Sequence, residues 1–325
     1  MLGLRKLLAV GEKILPIVGF TLLFYLLSTI DLGRVVYVIS RMNPLFFLFS
    51  LSLLMVKLPL SVYKWYLLAK SQGVEVRYLK MFRFYILASF YSLVTPGGLG
   101  SYIRVKYLYD EGKELGRSLS NVVIDGMIEM VNLSVLAILS TVLLFSVRLE
   151  LLLPILFLLI TSILPLLFLM HEKLGSRFAD KFVLFFIPSK YKSFFEKGTE
   201  NLFSSLPSKK VFITSVVLSL LTWFICFTQI HFLMLAFGEN IPLFGTVSVW
   251  SIAVSISFLP VTIGGLGVRE WLMVVLSKHY GISGTVSLSV SLVGYVVVYV
   301  IPGLFGAALT IFSATSRFRR QRVKK

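Results

Sequence analysis

Apolar runs long enough to cross a lipid bilayer recur along almost the whole chain. A helix needs about 20 apolar residues to cross roughly 30 Å of hydrocarbon. Runs near that length occupy residues 14–30, 44–68, 118–147, 151–170, 211–237 and 283–314. The pattern therefore predicts an all-α polytopic membrane protein with about six full spans, which form a single transmembrane domain over residues 1–325.

Two further apolar runs are interrupted by glycine clusters, and the clusters are close copies of one another. Residues 95–104 read TPGGLGSYIR, and residues 262–267 read TIGGLG. Shifting the chain by 167 positions aligns residues 65–100 with 232–267 without a gap, which indicates an internal repeat. The candidate tip residues are Thr95, Pro96, Gly97, Gly98 and Gly100 in the first copy and Thr262, Gly264, Gly265 and Gly267 in the second.

Each glycine cluster is predicted to break a membrane helix into a hairpin, over residues 82–110 and 242–280. Such a segment either crosses the membrane as an interrupted helix or turns at the glycines and returns to its own side. Positive charge separates these alternatives, because lysine and arginine favour cytoplasmic loops. With both hairpins re-entrant, 26 of the 32 lysines and arginines fall inside, five outside and Lys57 in the membrane. This count places Lys64 to Arg83 inside, and it favours the re-entrant arrangement.

The re-entrant arrangement gives the two repeats, residues 44–147 and 211–314, opposite orientations, as in inverted-repeat transporters. Half-helices of about 12 to 14 residues place both glycine tips near the bilayer midplane. Non-helical backbone is tolerated at that depth only inside protein or beside a water-filled cavity. The interval 171–210 is polar, basic and rich in phenylalanine, and is predicted to lie along the cytoplasmic surface as amphipathic helices.

The half-helix that leaves each glycine tip is a candidate anion site, because its free amides and positive dipole end point into the membrane. Arg104 lies about one turn into the first of these half-helices, and Ser101 is placed to cap it. The second copy offers Arg269 and Glu270 at a similar depth. The alternative is that the glycines only allow close packing and that the charges pair with one another.

Four polar residues form one stripe on the span 118–147, since they recur at intervals of four, four and three. They are Asn121, Asp125, Glu129 and Asn132. The stripe is predicted to face the first hairpin. If the membrane instead begins near Met130, the two acids are ordinary surface residues. Lys57 either pairs with these acids or extends to the interface, and the sequence does not decide between the two.

Composition narrows the function classes. The chain is 57% hydrophobic with a mean hydropathy of +0.89, which excludes a soluble protein. The net charge of +17 follows from topology and predicts no nucleic-acid partner. The three histidines are scattered, Cys226 is the single cysteine, and no phosphate-binding loop motif occurs, so we expect no metal, no cofactor and no enzymatic activity.

These residues resemble the flippase-like transmembrane region of the lysylphosphatidylglycerol synthetases and their stand-alone relatives. The resemblance covers most of the chain and is strongest in TPGGLGSYIR, which ends at Arg104, and in LPVTIGGLGVREWL, where Glu270 matches an acidic family position. The family often has glutamate where this chain has Ser101, and its Glu-Arg-x-x-Asp pattern appears here as Asp125 to Glu129. The sequence contains no soluble aminoacyl-transferring domain, so the resemblance implies no lysine transfer.

The leading hypothesis is a flippase-like protein of the cell membrane, with both termini cytoplasmic. It would move an anionic phospholipid or a polyprenyl-phosphate-linked lipid between leaflets. Arg104 and Arg269 would hold the phosphate, while Asp125, Glu129 and Glu270 balance those arginines or exchange protons. The alternative is a non-transporting subunit or scaffold for a lipid-modifying or glycosyl-transferring enzyme. Candidate partners are therefore an anionic lipid headgroup, a second copy of the chain and a membrane enzyme.

Overall fold

A computed structural model describes residues 32–93, 95, 98–144, 148–170, 206–259 and 267–311. Several predictions made from the sequence lie outside these residues. They are the first span at 14–30, almost all of the interval 171–210, the basic C-terminal tail, and the tip residues Pro96, Gly97, Thr262, Gly264 and Gly265.

The described residues form helices and contain no strand, which confirms the all-α prediction for this part of the chain. The helices are α1 Leu32–Ser40, α2 Pro44–Ser52, α3 Leu54–Ser71, α4 Tyr78–Leu93, α5 Ile103–Asp110, α6 Leu115–Leu144, α7 Leu149–Met170, α8 Lys209–Ala236, α9 Leu243–Ser257, α10 Val268–Ser277 and α11 Gly284–Tyr295. A five-residue π-helical segment, Val296–Val300, follows α11 directly, and the helix then continues to Ile311.

Four described helices are long and apolar enough to cross a membrane: Pro44–Ser71, Leu115–Leu144, Lys209–Ala236 and Gly284–Ile311. They coincide with four of the six predicted spans. The apolar helix Leu243–Ser257 is shorter than a full span, and α7 is apolar over Leu149–Leu164. The chain is therefore a helical membrane protein, and the number of full spans stays a prediction.

The order and length of the helices repeat along the chain, as the 167-residue offset predicts. A 28-residue span, Pro44–Ser71 or Lys209–Ala236, begins each copy. Helices of 16 and 15 residues then lead towards the glycines, and helices of 8 and 10 residues lead away from them. Spans of 30 and 28 residues complete the copies. The half-helices are thus unequal, rather than all near the expected 12 to 14 residues.

The contacts divide the chain into two compact units that interleave along the sequence. The first unit takes the described residues up to Leu54, the segment Tyr85–Ser101 and the described residues from Cys226 onward. The second unit takes Met55–Phe84 and the described part of Tyr102–Ile225. The helices α4 and α8 contribute residues to both units.

Each unit has its own apolar core, built from the faces that its helices turn towards one another. In the first unit, Val35 of α1, Val274 of α10 and Leu288 of α11 pack together. In the second, Leu68 packs against Ile124 and Ile128 of α6. Many large apolar residues remain on the surface, as lipid-facing helices require. On α7 these include Leu149, Leu153, Phe157, Ile160 and Leu164.

Candidate functional site

The second unit contains a buried group of four charged residues, Lys64, Arg104, Asp125 and Glu129, which we call the aspartate cluster. Asp125 lies at its centre. Its Oδ1 is 2.9 Å from Lys64 Nζ, and its Oδ2 accepts a hydrogen bond of 2.7 Å from Arg104 Nη1. Lys64 Nζ also donates to Glu129 Oε1. Two cations and two carboxylates therefore form one neutral network that joins α3, α5 and α6.

Burial differs within the aspartate cluster. The side chains of Lys64, Arg104 and Asp125 are at most 7% exposed, whereas that of Glu129 is 29% exposed. Charged groups removed from water are tolerated only when they are paired, and removing one partner costs about 3–5 kcal/mol. Asp125 is therefore held in place by two cations, and Glu129 is the member that can most readily exchange its partner for water.

Neutral side chains fix the orientation of the aspartate cluster from the same helices. Trp65 Nε1 donates to Asn121 Oδ1 at 2.6 Å, and Asn121 Nδ2 donates to Gln72 Oε1 at 2.8 Å. The guanidinium carbon of Arg104 lies 4.9 Å from the centre of the Trp65 ring, within cation–π range. Further along α6, Asn132 Nδ2 donates to the carbonyl of Val216.

The predicted polar stripe on α6 is therefore an internal surface. Asn121, Asp125 and Asn132 are buried, and each contacts another helix of the second unit. The alternative in which the acids are ordinary surface residues is wrong for Asp125 and holds only partly for Glu129. One residue of the stripe faces the segment predicted as the first hairpin: Asp125 binds Arg104 on α5, the helix that follows the glycine tip.

Lys64 is the functional candidate that sequence reasoning missed, because it was counted among the cytoplasmic charges. It is buried and pairs with both acids, the role considered for Lys57. Lys57 lies seven residues earlier on the same membrane helix and is only partly buried. Within the described residues, no carboxylate lies within ion-pair distance of it. The available signal was a lysine beside a tryptophan inside an apolar run, about one helical turn before the run ends.

The first unit contains a second buried ion pair, Arg269 with Glu270, at the start of α10. Glu270 Oε2 accepts a hydrogen bond of 2.7 Å from the backbone N–H of Gly267, which satisfies one free amide of the helix N-terminus. Glu270 Oε1 accepts hydrogen bonds from Arg269 Nη2 and from Ser291 Oγ. Arg269 Nε also donates to Ser291 Oγ at 3.3 Å, so α11 takes part in the same network.

Aromatic rings surround the Arg269 guanidinium. Its central carbon lies 4.6 Å from the Tyr295 ring, 5.8 Å from Trp250 and 6.0 Å from Tyr299. Tryptophan and tyrosine faces attract cations through their quadrupole, by about 2 kcal/mol when water is excluded. We call Arg269, Glu270 and these three rings the arginine cage. It is a closed structure, because both charged side chains are at most 2% exposed.

Two residues of the arginine cage depend on an irregularity in the last long helix. Tyr295 precedes the π-helical segment and Tyr299 lies within it. The backbone N–H of Ile301 donates to the carbonyl of Val296, five residues earlier, and the next residue, Pro302, has no N–H to donate. Short π segments are frequent at functional sites.

The described part of the first glycine tip requires glycine for a steric reason. A Cβ on Gly100 would lie 2.0 Å from the carbonyl oxygen of Tyr91, which is far inside contact distance. The backbone N–H of Gly100 donates to Thr95 Oγ1, which in turn donates to the Tyr91 carbonyl. Gly98 has a φ of 70°, a conformation that favours glycine. Thr95 thus links Gly100 to the last turn of α4.

The remaining candidates are placed as follows. Ser101 lies in the short 3-10 turn Leu99–Tyr102, and the N-cap position of α5 falls to Tyr102. Gly267 has a φ of 91° and forms the N-cap of α10. Arg104, Asp125 and Glu129 lie together in the second unit, and Arg269 and Glu270 lie together in the first. The described residues contain no group of three potential metal ligands.

Long apolar helices, glycine breaks and ion pairs buried between helices define the class: a multi-helix integral membrane protein with ionisable groups in its interior. The family model of the lysylphosphatidylglycerol synthase TM region matches residues 10–306. The chain therefore belongs to this family of membrane regions, as the sequence motifs indicated.

Relatives of similar length occur in archaea. A UPF0104 membrane protein of Methanothermobacter thermautotrophicus is 23% identical, over 93% of this chain and 96% of the relative. The UPF0104 membrane protein PH1989 of Pyrococcus horikoshii is 21% identical, over 92% of this chain and 96% of the relative. A second protein of this name from M. thermautotrophicus is 25% identical over 42% of this chain. The third match covers 39% of the relative, whereas the first two span nearly the whole of both chains.

Proposed function

We propose that the protein moves an anionic lipid between the leaflets of the cell membrane, with the lipid phosphate passing through the aspartate cluster. The observation that carries the proposal is the pairing of buried Lys64 and Arg104 with Asp125 and the partly exposed Glu129. Buried charge inside a membrane protein is costly and usually serves transport. The substrate class is a phospholipid or a polyprenyl-phosphate-linked lipid, and no covalent chemistry is involved.

The charge balance dictates how a phosphate would bind. The aspartate cluster is already neutral, so an added phosphate would leave a buried excess of negative charge. Binding is therefore an exchange: Glu129, the most exposed member, swings towards water, and the phosphate takes its place on Lys64 and extends to Arg104. Asp125 keeps the two cations close together while this happens. The carboxylate that leaves returns when the lipid departs, which resets the site.

The arginine cage contributes differently to the proposed cycle. For Arg269 to hold a phosphate, Glu270 and at least one aromatic ring would have to move away from it. We therefore assign Arg269 and Glu270 to a later stage of transport, in which α10 and α11 rearrange. The π segment gives α11 a local irregularity at which such a rearrangement can occur.

The decisive experiment compares Arg104→Gln with Lys106→Gln on the same helix. Lys106 is 64% exposed and pairs with Asp110, so its loss removes the same charge without touching the cluster. Purified protein in liposomes should flip phosphatidylglycerol faster than phosphatidylcholine. Arg104→Gln should reduce this rate by roughly tenfold or more, the size expected for one charge-assisted hydrogen bond. Lys106→Gln should keep the wild-type rate.

A non-transporting scaffold is the second candidate function. Its supporting observation is that both buried clusters are neutral and hydrogen-bonded, as purely structural ion pairs would be. Binding of phosphatidylglycerol to detergent-solubilised protein should be measured beside transport, since a partner could be needed for movement. If neither binding nor flip responds to Arg104→Gln in a correctly folded protein, the transport proposal is wrong and the scaffold is favoured.

A further inference from the structure

The second unit contains a polar cavity that the proposed transport route does not use. Its volume is about 330 Å³, and it lies between the segment that follows α3, the first turn of α4 and the turn that follows α5. The residues that line it are Glu75, Val76, Arg77, Lys80, Glu111 and Lys113. Five of these six side chains are charged, so the cavity is built for a polar occupant.

The charges in this cavity do not cancel. Three cations face two carboxylates, which leaves one positive charge in excess. Lys80 already forms an ion pair with Glu111. Within the described residues, neither Arg77 nor Lys113 has a carboxylate at ion-pair distance. These two side chains are therefore available to an anion, whereas Lys80 is shared with Glu111.

The cavity lies beside the ends of two membrane-spanning helices, so we expect it at the level of the membrane surface. The span Pro44–Ser71 ends just before its first lining residue, and the span Leu115–Leu144 begins two residues after its last. Lys64 and Asp125 lie 7 and 10 residues inside the ends of these two spans. At a rise of 1.5 Å per residue, the aspartate cluster is roughly 10–15 Å deeper in the same unit.

We propose that this cavity binds the phosphate-bearing headgroup of a membrane lipid before the lipid reaches the aspartate cluster. Arg77 and Lys113 hold the phosphate, and Glu75 and Glu111 accept hydrogen bonds from headgroup hydroxyl or ammonium groups. A volume of 330 Å³ is at the small end for ligand sites and suits a headgroup without its acyl chains. Free phosphate offers the same oxygen atoms to Arg77 and Lys113.

The order of events, in which the lipid binds in the cavity as a first stop before it reaches the aspartate cluster, rests on the proposed function. Binding of a headgroup in the cavity does not. Binding is measured on the full chain in a non-ionic detergent, with Cys226→Ala and a fluorophore on Leu79→Cys. Leu79 is 80% exposed and adjoins Lys80, so the dye reports on the cavity without filling the core. The probes are dihexanoyl phosphatidylglycerol below its micellar concentration and sodium phosphate.

The test variant is Arg77→Gln/Lys113→Gln. The matched control is Lys70→Gln/Lys106→Gln, which removes two charges from exposed positions of the same unit outside the cavity. The test variant should bind the short-chain lipid roughly tenfold or more weakly, because each lost cation removes a charge-assisted contact. The control should stay within about twofold. Thermal unfolding confirms that both variants are folded.

The outcomes separate the possibilities. Binding of the lipid but not of phosphate supports a lipid headgroup, and equal binding of both supports a soluble phosphate compound in the same cavity. If the test variant binds as the wild type does, or if the control weakens equally, the cavity is not the site. Lipid flip by Arg77→Gln/Lys113→Gln is measured in liposomes beside its binding curve. Loss of binding together with slower flip supports the cavity as a first stop, whereas loss of binding with flip at the wild-type rate overturns that role. Wild-type protein that binds the lipid in the cavity but does not flip it would overturn the proposed function and not this site.

Discussion

Lys64 is the residue on which the aspartate cluster depends most, because it pairs with two carboxylates at once. Asp125 is buried and cannot take water in place of Lys64, so the loss of Lys64 leaves Asp125 with only Arg104, and Glu129 without a cation. Loss of Arg104 likewise leaves Asp125 with a single cation, Lys64. The proposed transport and the stability of the fold therefore involve the same few charges.

We expect Lys64→Met to lower the free energy of unfolding by about 3–5 kcal/mol, the cost of breaking a buried ion pair from one side. Lys57→Met, on the same helix but only partly buried, should change it by less than about 0.5 kcal/mol. Denaturant unfolding of the purified protein in mixed micelles measures both values. Lys64→Met/Glu129→Gln should recover part of the loss, because it also removes an unpaired negative charge. Equal stability of the two single variants would contradict the structural role of Lys64.

Gly100 is expected to tolerate no side chain. Gly100→Ala would place a methyl group 2.0 Å from the Tyr91 carbonyl, so the turn must open. A loss of at least about 2–3 kcal/mol is expected, typical of severe overpacking. Gly126→Ala on α6 is the control, because its methyl would lie 3.4 Å from Tyr102 Oη. A helical glycine replaced by alanine should be neutral or stabilising. If both changes are equally mild in unfolding measurements, close approach at the tip is not required.

At the scale of elements, the two copies of the repeat share helix lengths but not chemistry. In the first copy, the short helix α5 carries Arg104 to an acid on the following span. In the second, α10 carries both members of the ion pair, and the following helix supplies Ser291 and Tyr295. The irregular π segment follows Tyr295 directly. Helices of similar length in the two copies therefore carry two different polar clusters.

The arginine cage should depend on its rings in order of distance. Tyr295→Leu removes the ring nearest to Arg269, at 4.6 Å, and Tyr299→Leu removes one at 6.0 Å. Cation–π attraction falls off beyond about 6 Å. Double-mutant cycles with Arg269→Met should therefore give a coupling energy with the guanidinium that is roughly 1–2 kcal/mol larger for Tyr295 than for Tyr299. Tyr295→Phe keeps the ring and should be close to neutral. Equal coupling energies for both rings would show that packing alone holds the guanidinium.

At the scale of the whole molecule, the two glycine-interrupted segments are predicted to enter the membrane from opposite sides. The re-entrant arrangement follows from the distribution of positive charge along the sequence. Moving Lys64 from the cytoplasmic count to the buried cluster lowers the inside total by one and does not change the conclusion. The polar cavity fits the same arrangement, since both of its segments are predicted to be cytoplasmic.

Topology can be read from single cysteines in a Cys226→Ala background. Cysteines at Lys80 and Lys113, on either side of the first hairpin, should both react with an impermeant maleimide only from the cytoplasmic face. A cysteine at Glu239, between α8 and α9, should react only from outside. Whole cells and inverted vesicles provide the two faces. Labelling of Lys80 and Lys113 from opposite faces would mean that the hairpin crosses the membrane, and the inverted repeat would then be wrong.

Sequence reasoning anticipated most of the local structure and part of the site. Apolar run length located the four long helices, because a helix in lipid must satisfy its backbone internally. The 167-residue repeat anticipated the recurrence of helix lengths. Periodicity placed Asp125 and Glu129 on one face of α6, and the glycine break placed Arg104 on the outgoing helix. It did not identify Lys64, because a lysine near the end of an apolar run ordinarily extends to the interface.

By itself the sequence determined what depends on neighbouring residues: the helical membrane class, the family, the glycine breaks and the register of polar residues on each helix. Only the tertiary structure decided which charges meet. Lys64 and Asp125 are far apart in sequence, so their pairing depends on how α3 and α6 pack. The same is true of the rings around Arg269. Hydrophobicity is a property of each segment, whereas the partner of a buried charge is set by the packing of different segments.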